Sequence, residues 1–255
     1  MATRTRKIIF LSMISVSVAF VGCKEDKIDE PTEPEVSKLS VTVQPVYGSQ
    51  TLYLDSTYIT PEGYGVRFTD LKFFAEDVRG TNAQLKDASL FNYRETGTAL
   101  FTAEGEPGDF PSLNGNLGVQ AGINHDDPSA FPNDNVLNIS NSGDMHWGWN
   151  PGYIFVKVEA KVDTIPDGTD LFDHLVTLHV GLDENLQTFS FSNINWQQTG
   201  ELSYAFPLKL DMQAFLANTS QPIDLKTEFV SHSAAGQEAL SLKVIQNFNA
   251  ALSEY

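Results

Sequence analysis

Thiols are almost absent from this chain, because its 255 residues include a single cysteine, Cys23. One cysteine cannot form a disulfide within the chain, and it excludes zinc or iron–sulfur sites built from four thiolates. Positive charge is also scarce, with 16 Lys and Arg against 33 Asp and Glu and a formal net charge of −17. Such an acidic surface argues against nucleic acid as a partner and is compatible with attracting cations. Stability must therefore come from an apolar core.

An apolar run over residues 8–21 follows the basic residues Arg4, Arg6 and Lys7 and is followed by Gly22 and Cys23. This order predicts a signal peptide over residues 1–22, which is too short to span a bilayer as a permanent helix. A small residue directly before a lone cysteine resembles a lipobox, so Cys23 is predicted to carry a lipid that anchors the chain to a membrane. The alternative, an ordinary secretory signal, would leave an unpaired thiol in an oxidising compartment.

The lipid anchor predicts an outer-membrane lipoprotein that faces the periplasm or the cell surface. An outer-membrane receptor or transporter is then a candidate partner. Residues 23–37 are charged and contain prolines without apolar periodicity, which is typical of a disordered tether. Residues 38–255 show no internal repeat and no break in composition, and they are predicted to form one domain.

Most of this domain alternates apolar and polar residues, as in Leu39, Val41 and Val43, which indicates β-strands. Near the C-terminus apolar residues recur every four positions, from Leu240 to Leu252, which predicts one amphipathic helix. A shorter helix is predicted around residues 212–216. The fold class is therefore all-β, a β-sandwich of the immunoglobulin-like or a related type, with one C-terminal α-helix and long loops.

Residues 104–150 are rich in Gly, Pro, Asn and Asp, and a loop of that length in a compact domain is usually functional. At its end, Met145, His146, Trp147 and Trp149 lie within five residues. In an extended segment Met145, Trp147 and Trp149 would share one face and His146 the other. The alternative is structural, with the tryptophans closing the end of the sandwich and a turn at residues 150–152.

Residues 145–153 follow the pattern Met-x-Trp-x-Trp-x-x-Gly-Tyr and lead into a strand. This string resembles the signature of the MbnP-like domain, a family named for a copper-binding protein associated with methanobactin. Weaker matches flank it in order at residues 71–74, 124–126, 178–181 and 231–233, and a terminal helix contains Asn247. The resemblance covers most of residues 39–252.

The resemblance implies a β-sandwich that binds copper outside the cytoplasm for acquisition or handling. In related proteins the metal, taken as Cu(I), is held by histidine nitrogens and by a tryptophan oxidised to kynurenine. Two departures stand out: the first strand carries Val43-Gln44-Pro45-Val46 where members often have a histidine, and no Trp-x-His occurs. The site is therefore altered or shifted toward His146, or it is lost.

Imidazole suits copper and thioether sulfur favours Cu(I), so the residues and the resemblance together give a set of candidate metal ligands. The set is His125, His179, His146, Met145, Trp147, Trp149 and His232. Each histidine has a bland alternative: His179 as a solvated surface residue, His125 in an Asx-type turn, and His232 in a helix cap. His174 is predicted to lie on the surface.

Oxygen-rich loops offer a second cation. Residues 163–170 contain three aspartates, and residues 126–134 contain Asp126, Asp127, Asn133 and Asp134, as in calcium-binding loops, although neither has the EF-hand spacing. No hydrolase, metalloprotease or phosphate-loop motif occurs, so no enzyme is predicted. The competing function is a metal-free surface module for a glycan, peptide or receptor, with calcium in a structural role.

Overall fold

The structure is a computed structural model that describes residues 35–148, 151–165 and 167–255. The predicted signal peptide, Cys23 and Trp149 lie outside these residues, so the boundaries predicted at residues 22 and 37 stay predictions. Residues Glu35–Tyr255 form one compact unit. No helix in the described ranges is long and apolar enough to cross a membrane.

The described residues are mostly extended. The strands are β1 (Lys38–Tyr47), β2 (Gln50–Thr51), β3 (Tyr58–Ile59), β4 (Gly65–Arg79), β5 (Gln84–Asn92), β6 (Ala99–Glu104), β7 (Ser112–Leu117), β8 (His146–Gly148), β9 (Gly152–Asp163), β10 (His174–Gly181), β11 (Gln187–Ser192), β12 (Gln197–Gly200), β13 (Ser203–Asp211), β14 (Val230–Ser231) and β15 (Leu252–Glu254). The α-helices are α1 (Tyr93–Thr96), α2 (Ala121–Asn124), α3 (Ile139–Ser142), α4 (Met212–Leu216) and α5 (Glu238–Ala251).

The strands form two sheets, which confirms the all-β sandwich-like prediction. In the first sheet the order is β12-β13-β1-β2, with β6 also on β1 and β15 on β13. In the second it is β11-β7-β4-β9-β10-β14, with β3 and β5 on β4 and β8 on β9. Two neighbouring pairs are parallel, β1 with β13 and β10 with β14. The second pair positions the candidate site.

The core lies between the sheets and follows from strand alternation. Val41 of the first sheet and Phe73 of the second are both almost fully buried, and Phe191 meets Phe206 across the layers with ring centroids 5.7 Å apart. The predicted C-terminal helix is α5, which buries Phe248 against Phe73 at 5.5 Å. The short helix predicted at residues 212–216 is α4. Both helix predictions are confirmed.

The other face of the second sheet, which we call the outer face, is partly covered by the connection between β7 and β9. Gly118 at its start lies against Phe155, and the Tyr153 hydroxyl donates to the Leu137 carbonyl within it. Tyr153 also packs edge-on against Phe74 at 5.5 Å. These residues belong to the same apolar cluster as the core between the sheets, which therefore extends onto the outer face.

The prediction of a continuous loop over residues 104–150 is wrong, because this range contains α2, α3, β8 and the six-residue strand β7. This strand, Ser-Leu-Asn-Gly-Asn-Leu, has weak intrinsic β propensity. It is a strand because it pairs with β11 on one side and β4 on the other. Tertiary pairing has overridden local preference.

Candidate metal-binding site

The outer face carries a polar strip where β9 and β10 run side by side. His179 is opposite Lys157, and Leu178 is opposite Val158, so the apolar side chains enter the core while His179, Lys157 and Glu159 point outward. The predicted orientation of His179 away from the apolar face is confirmed. Its side chain is only 15% exposed, however, so it is not a solvated surface residue.

His179 and His232 meet ring to ring. The parallel pairing of β10 with β14 sets Leu178 beside Ser231, and the next residue in each segment is a histidine: His179 on β10, and His232 just after the end of β14. Their ring centroids are 5.1 Å apart and the planes differ by 18°. His232 itself is exposed. Two distant candidate ligands therefore come together through strand register.

Glu159 fixes the orientation of the His179 ring. The Nε2 atom of His179 lies 2.9 Å from Glu159 Oε1, which is 3.1 Å from Lys157 Nζ. Burial lowers the pKa of His179, and Lys157 and His232 act in the same direction while Glu159 opposes them. His179 is thus a neutral imidazole near pH 7, which is the form that binds metals.

A network of charges supports this arrangement from below. Lys157, with 7% of its side chain exposed, pairs with Asp70, Asp144 and Glu159, and Lys72 pairs with Asp70 and Asp144. Burial opposes the charged form of Lys157, but its hydrogen bonds to the three carboxylates raise its pKa. Burial likewise opposes the Asp144 carboxylate, yet the two lysines hold the pKa of Asp144 at about 2. Asp144 and the two lysines are therefore charged throughout the neutral range.

Trp147 lies at the end of β10, over Gly181. An added Cβ at Gly181 would stand 2.4 Å from the Tyr153 carbonyl oxygen and 2.7 Å from Trp147 Cζ3, so glycine leaves room both for the backbone of β9 and for the indole. Gly181 and His179 are two residues apart on β10 and face the same side, about 7 Å apart along the strand. The indole therefore covers the strand next to the histidine pair.

His146 takes the opposite side of β8, as alternation predicts. Its ring packs edge-on against Tyr153 with centroids 4.7 Å apart, and burial lowers the pKa of His146. Its Nε2 atom is buried and has no hydrogen-bond partner among the described residues. His146 thus packs beside Tyr153 rather than on the His179 strip.

His125 approaches the same end of β10 from α2. Its Nε2 atom is 3.1 Å from Asp183 Oδ2, and Asn124 donates to the other carboxylate oxygen at 2.7 Å. The side-chain oxygen of Asn124 in turn accepts from the Tyr153 amide at 2.9 Å. His125 is held at the margin of the site, with 43% of its side chain exposed.

Two residues depart from the pattern of the other candidates. Met145 is fully buried and packs in the hydrophobic core. His174 is half-buried, 3.1 Å from the Leu225 carbonyl and edge-on to Phe229, so its predicted surface position is wrong. His174 is the first residue of β10, and its ring contacts the loop that contains Leu225.

The donor chemistry fits a copper ion better than the present geometry does. No group of three or more His, Cys, Asp or Glu side chains within the described ranges is arranged to hold a metal. Lone pairs of an imidazole lie in the ring plane, so stacked rings do not aim at one point. A new rotamer of the exposed His232 would be enough to redirect its nitrogens.

The acidic loops considered for calcium use their carboxylates locally. Asp163 accepts from the Ile165 amide, Asp167 from Thr169, and Asp127 from Ser129. These are turn-forming bonds within each loop. The calcium prediction gains no support from them and stays a prediction.

Sequence reasoning missed Glu159, Lys157 and Asp144. Their signal was available for two of the three, because Lys157 and Glu159 alternate with buried apolar residues on β9 and share its outward face. Charged residues in a buried strand are seldom left unpaired. Which partners they meet depends on β4 and on the connection that carries Asp144.

Fold and site define a two-sheet β protein with a polar, histidine-bearing strip at the edge of a covered sheet face. The family model described as MbnP matches residues 36–235, and the chain belongs to this family. Among solved structures, MbnP from Methylosinus trichosporium is similar, with 15% sequence identity and a TM-score of 0.48 over 72% of this chain and 78% of that one. No curated protein matches.

Proposed function

We propose that this protein binds copper, as Cu(I), outside the cytoplasm, with His179 and His232 as its central donors. The observation that carries the proposal is the ring-to-ring placement of these two histidines by β10 and β14. Membership of the MbnP family and the copper binding implied by the resemblance of residues 145–153 support it. Copper is here the cargo, for acquisition or handling.

The remaining candidates take graded positions around this pair. Trp147 covers the end of β10 at Gly181, and its indole would limit the access of water to a bound ion. His125, held by Asp183, lies at the margin, where it can act as an additional donor on entry. The Nε2 atom of His146 and the side chain of Met145 are buried, and either residue would have to rearrange before it could contact an ion at the His179 pair.

The location is proposed from the N-terminal residues alone. Lipidation at Cys23 would anchor the domain to the outer membrane, facing the periplasm or the cell surface, through the charged segment that follows. An ion captured there would pass to a receptor or transporter in the same membrane. The proposal assigns no catalytic step.

The test is metal content after expression in the periplasm of a copper-supplied host. The wild-type protein should retain copper in stoichiometric amount, His179→Gln and His232→Gln should each weaken retention, and the double variant should lose it. His174→Gln is the matched control, because His174 contacts a backbone carbonyl outside the site. Mass analysis of the peptide with Trp147 and Trp149 reports any added oxygen.

Absence of copper from the wild-type protein, or equal retention by the double variant, would refute the proposal. The metal-free binding module would then be the better account. Copper retention that depends on His146 but not on His179 would place the site beside Tyr153, where the His146 ring packs.

A further inference from the structure

We propose that Glu159 is a positioning residue that fixes the proton of His179 on Nε2 and so makes Nδ1 the metal-facing nitrogen. The inference rests on the proposed function for its metal part only. The hydrogen bond that carries it belongs to the metal-free protein. Neither the residue pattern nor the family resemblance assigns a role to Glu159.

The first step is the geometry at Nε2. Glu159 Oε1 is 2.9 Å from His179 Nε2, a hydrogen-bond distance. A carboxylate accepts and does not donate, so the proton between them must belong to the imidazole. In the other tautomer, a nitrogen lone pair would face the carboxylate oxygen. The bond therefore selects the tautomer with the proton on Nε2.

The second step is the second contact of Glu159. Lys157 Nζ lies 3.1 Å from the same oxygen and is itself almost fully buried. Lys157 is held in turn by Asp70, at 3.2 Å, and by Asp144. An ammonium can only donate, so Glu159 Oε1 already serves as an acceptor for Lys157 when it meets the imidazole.

The third step is the position of the residues on the sheet. Glu159 and Lys157 lie on β9, a twelve-residue strand paired on both sides, so the acceptor cannot drift. With Nε2 occupied, the remaining lone pair of His179 is on Nδ1. Metal-ligating histidines commonly donate their second ring N–H to a carboxylate in this way, and losing that partner typically lowers metal affinity by ~10–100-fold.

The experiment reads the tautomer directly from histidine ¹⁵N chemical shifts in the purified metal-free protein at about pH 8, where neutral imidazole dominates. The His179 signals are assigned by their loss in His179→Gln. In wild-type protein the proton should be on Nε2. In Glu159→Gln, whose amide can donate as well as accept, the shifts should move toward a mixture with the Nδ1–H form.

Copper affinity is then measured on the same samples, with an expected loss of ~10–100-fold in Glu159→Gln. Glu104→Gln on β6 is the control, an exposed carboxylate that should leave both readouts unchanged. Glu159→Asp keeps the charge but shortens the reach, and it serves as the second variant if Glu159→Gln folds poorly. It too should weaken the preference for the Nε2–H form.

A wild-type proton on Nδ1, or unchanged His179 shifts in both Glu159 variants, would overturn the tautomer assignment. Altered shifts with unchanged copper affinity would overturn the metal-facing part. Wild-type protein that binds no copper yet shows the expected shifts would refute the proposed function while leaving the Glu159–His179 bond established. The two failures are therefore distinguishable.

Discussion

Gly181 is the position where packing and the candidate site meet, and Gly181→Ala is the perturbation with the clearest expected effect. The alanine Cβ would stand 2.4 Å from the Tyr153 carbonyl oxygen of β9 and 2.7 Å from Trp147 Cζ3. The carbonyl lies where β9 pairs with β8 and β10, so it can retreat little. The indole must therefore move, and the backbone of the two strands must also shift slightly.

The magnitude follows from two opposing terms. Overpacking of this kind typically costs about 1–3 kcal/mol. Replacing glycine by alanine also reduces the entropy of the unfolded chain, which stabilises by about 0.4–1 kcal/mol where the backbone allows it. We therefore expect Gly181→Ala to lower the free energy of unfolding by about 1–2 kcal/mol.

The assay is urea unfolding, followed by tryptophan fluorescence and far-ultraviolet circular dichroism. Gly108→Ala is the matched control, since an added Cβ there meets nothing within 4 Å. A blue or red shift of native fluorescence should accompany the loss of stability only in Gly181→Ala. In a Trp147→Leu background the Gly181→Ala cost should shrink, since the pair is in contact.

Equal stability of Gly181→Ala and wild type, with an unchanged emission maximum, would refute the claim that the Trp147 indole packs directly against Gly181. An undiminished cost in the Trp147→Leu background would assign the clash to the Tyr153 carbonyl alone. The role of Trp147 at the site would then need another support.

Two further predictions concern the charge network. Lys157→Met should lower the free energy of unfolding by about 3 kcal/mol, because it leaves the buried Asp70 with Lys72 as its remaining ion-pair partner. The control Lys161→Met changes an exposed lysine of the same strand and should cost less than about 0.5 kcal/mol. Similar urea midpoints for the two variants would contradict this prediction. The pKa of Asp144, held at about 2, predicts stabilisation that is complete above about pH 4 and lost as the pH falls toward 2. Asp144→Asn should flatten the urea midpoint over that range, and an unchanged slope would contradict the assignment.

The sequence predicted those features that depend on local periodicity. The alternation in β13 and the four-residue recurrence that ends in α5 are visible in the residues, and both elements are present. The outward direction of His179 came from the same rule. In each case the apolar side chains point to the core between the sheets. The direction of these side chains can therefore be predicted from the residues of one strand or helix, without knowing its neighbours.

What could not be predicted depends on register between distant segments. The two-residue strand β14 has no periodicity to detect, and only its parallel pairing with β10 sets His232 beside His179. The network around Lys157 draws on β4, β9 and the connection ahead of β8. Weakly β-prone β7 was missed for the same reason. Pair contacts of this kind are not encoded by any one stretch.

The two histidines of the candidate site differ in how firmly the fold holds them. His179 is on a long strand, half-buried, with its ring fixed by Glu159, whereas His232 is exposed next to a strand of two residues. A preformed donor lowers the ordering cost of binding, and an adjustable one permits entry and release. Under the proposed function, capture of an ion requires a rotamer change at His232 alone. Rigidity on β10 and freedom after β14 are then both needed, and a substitution that immobilises His232 should slow exchange more than it strengthens binding.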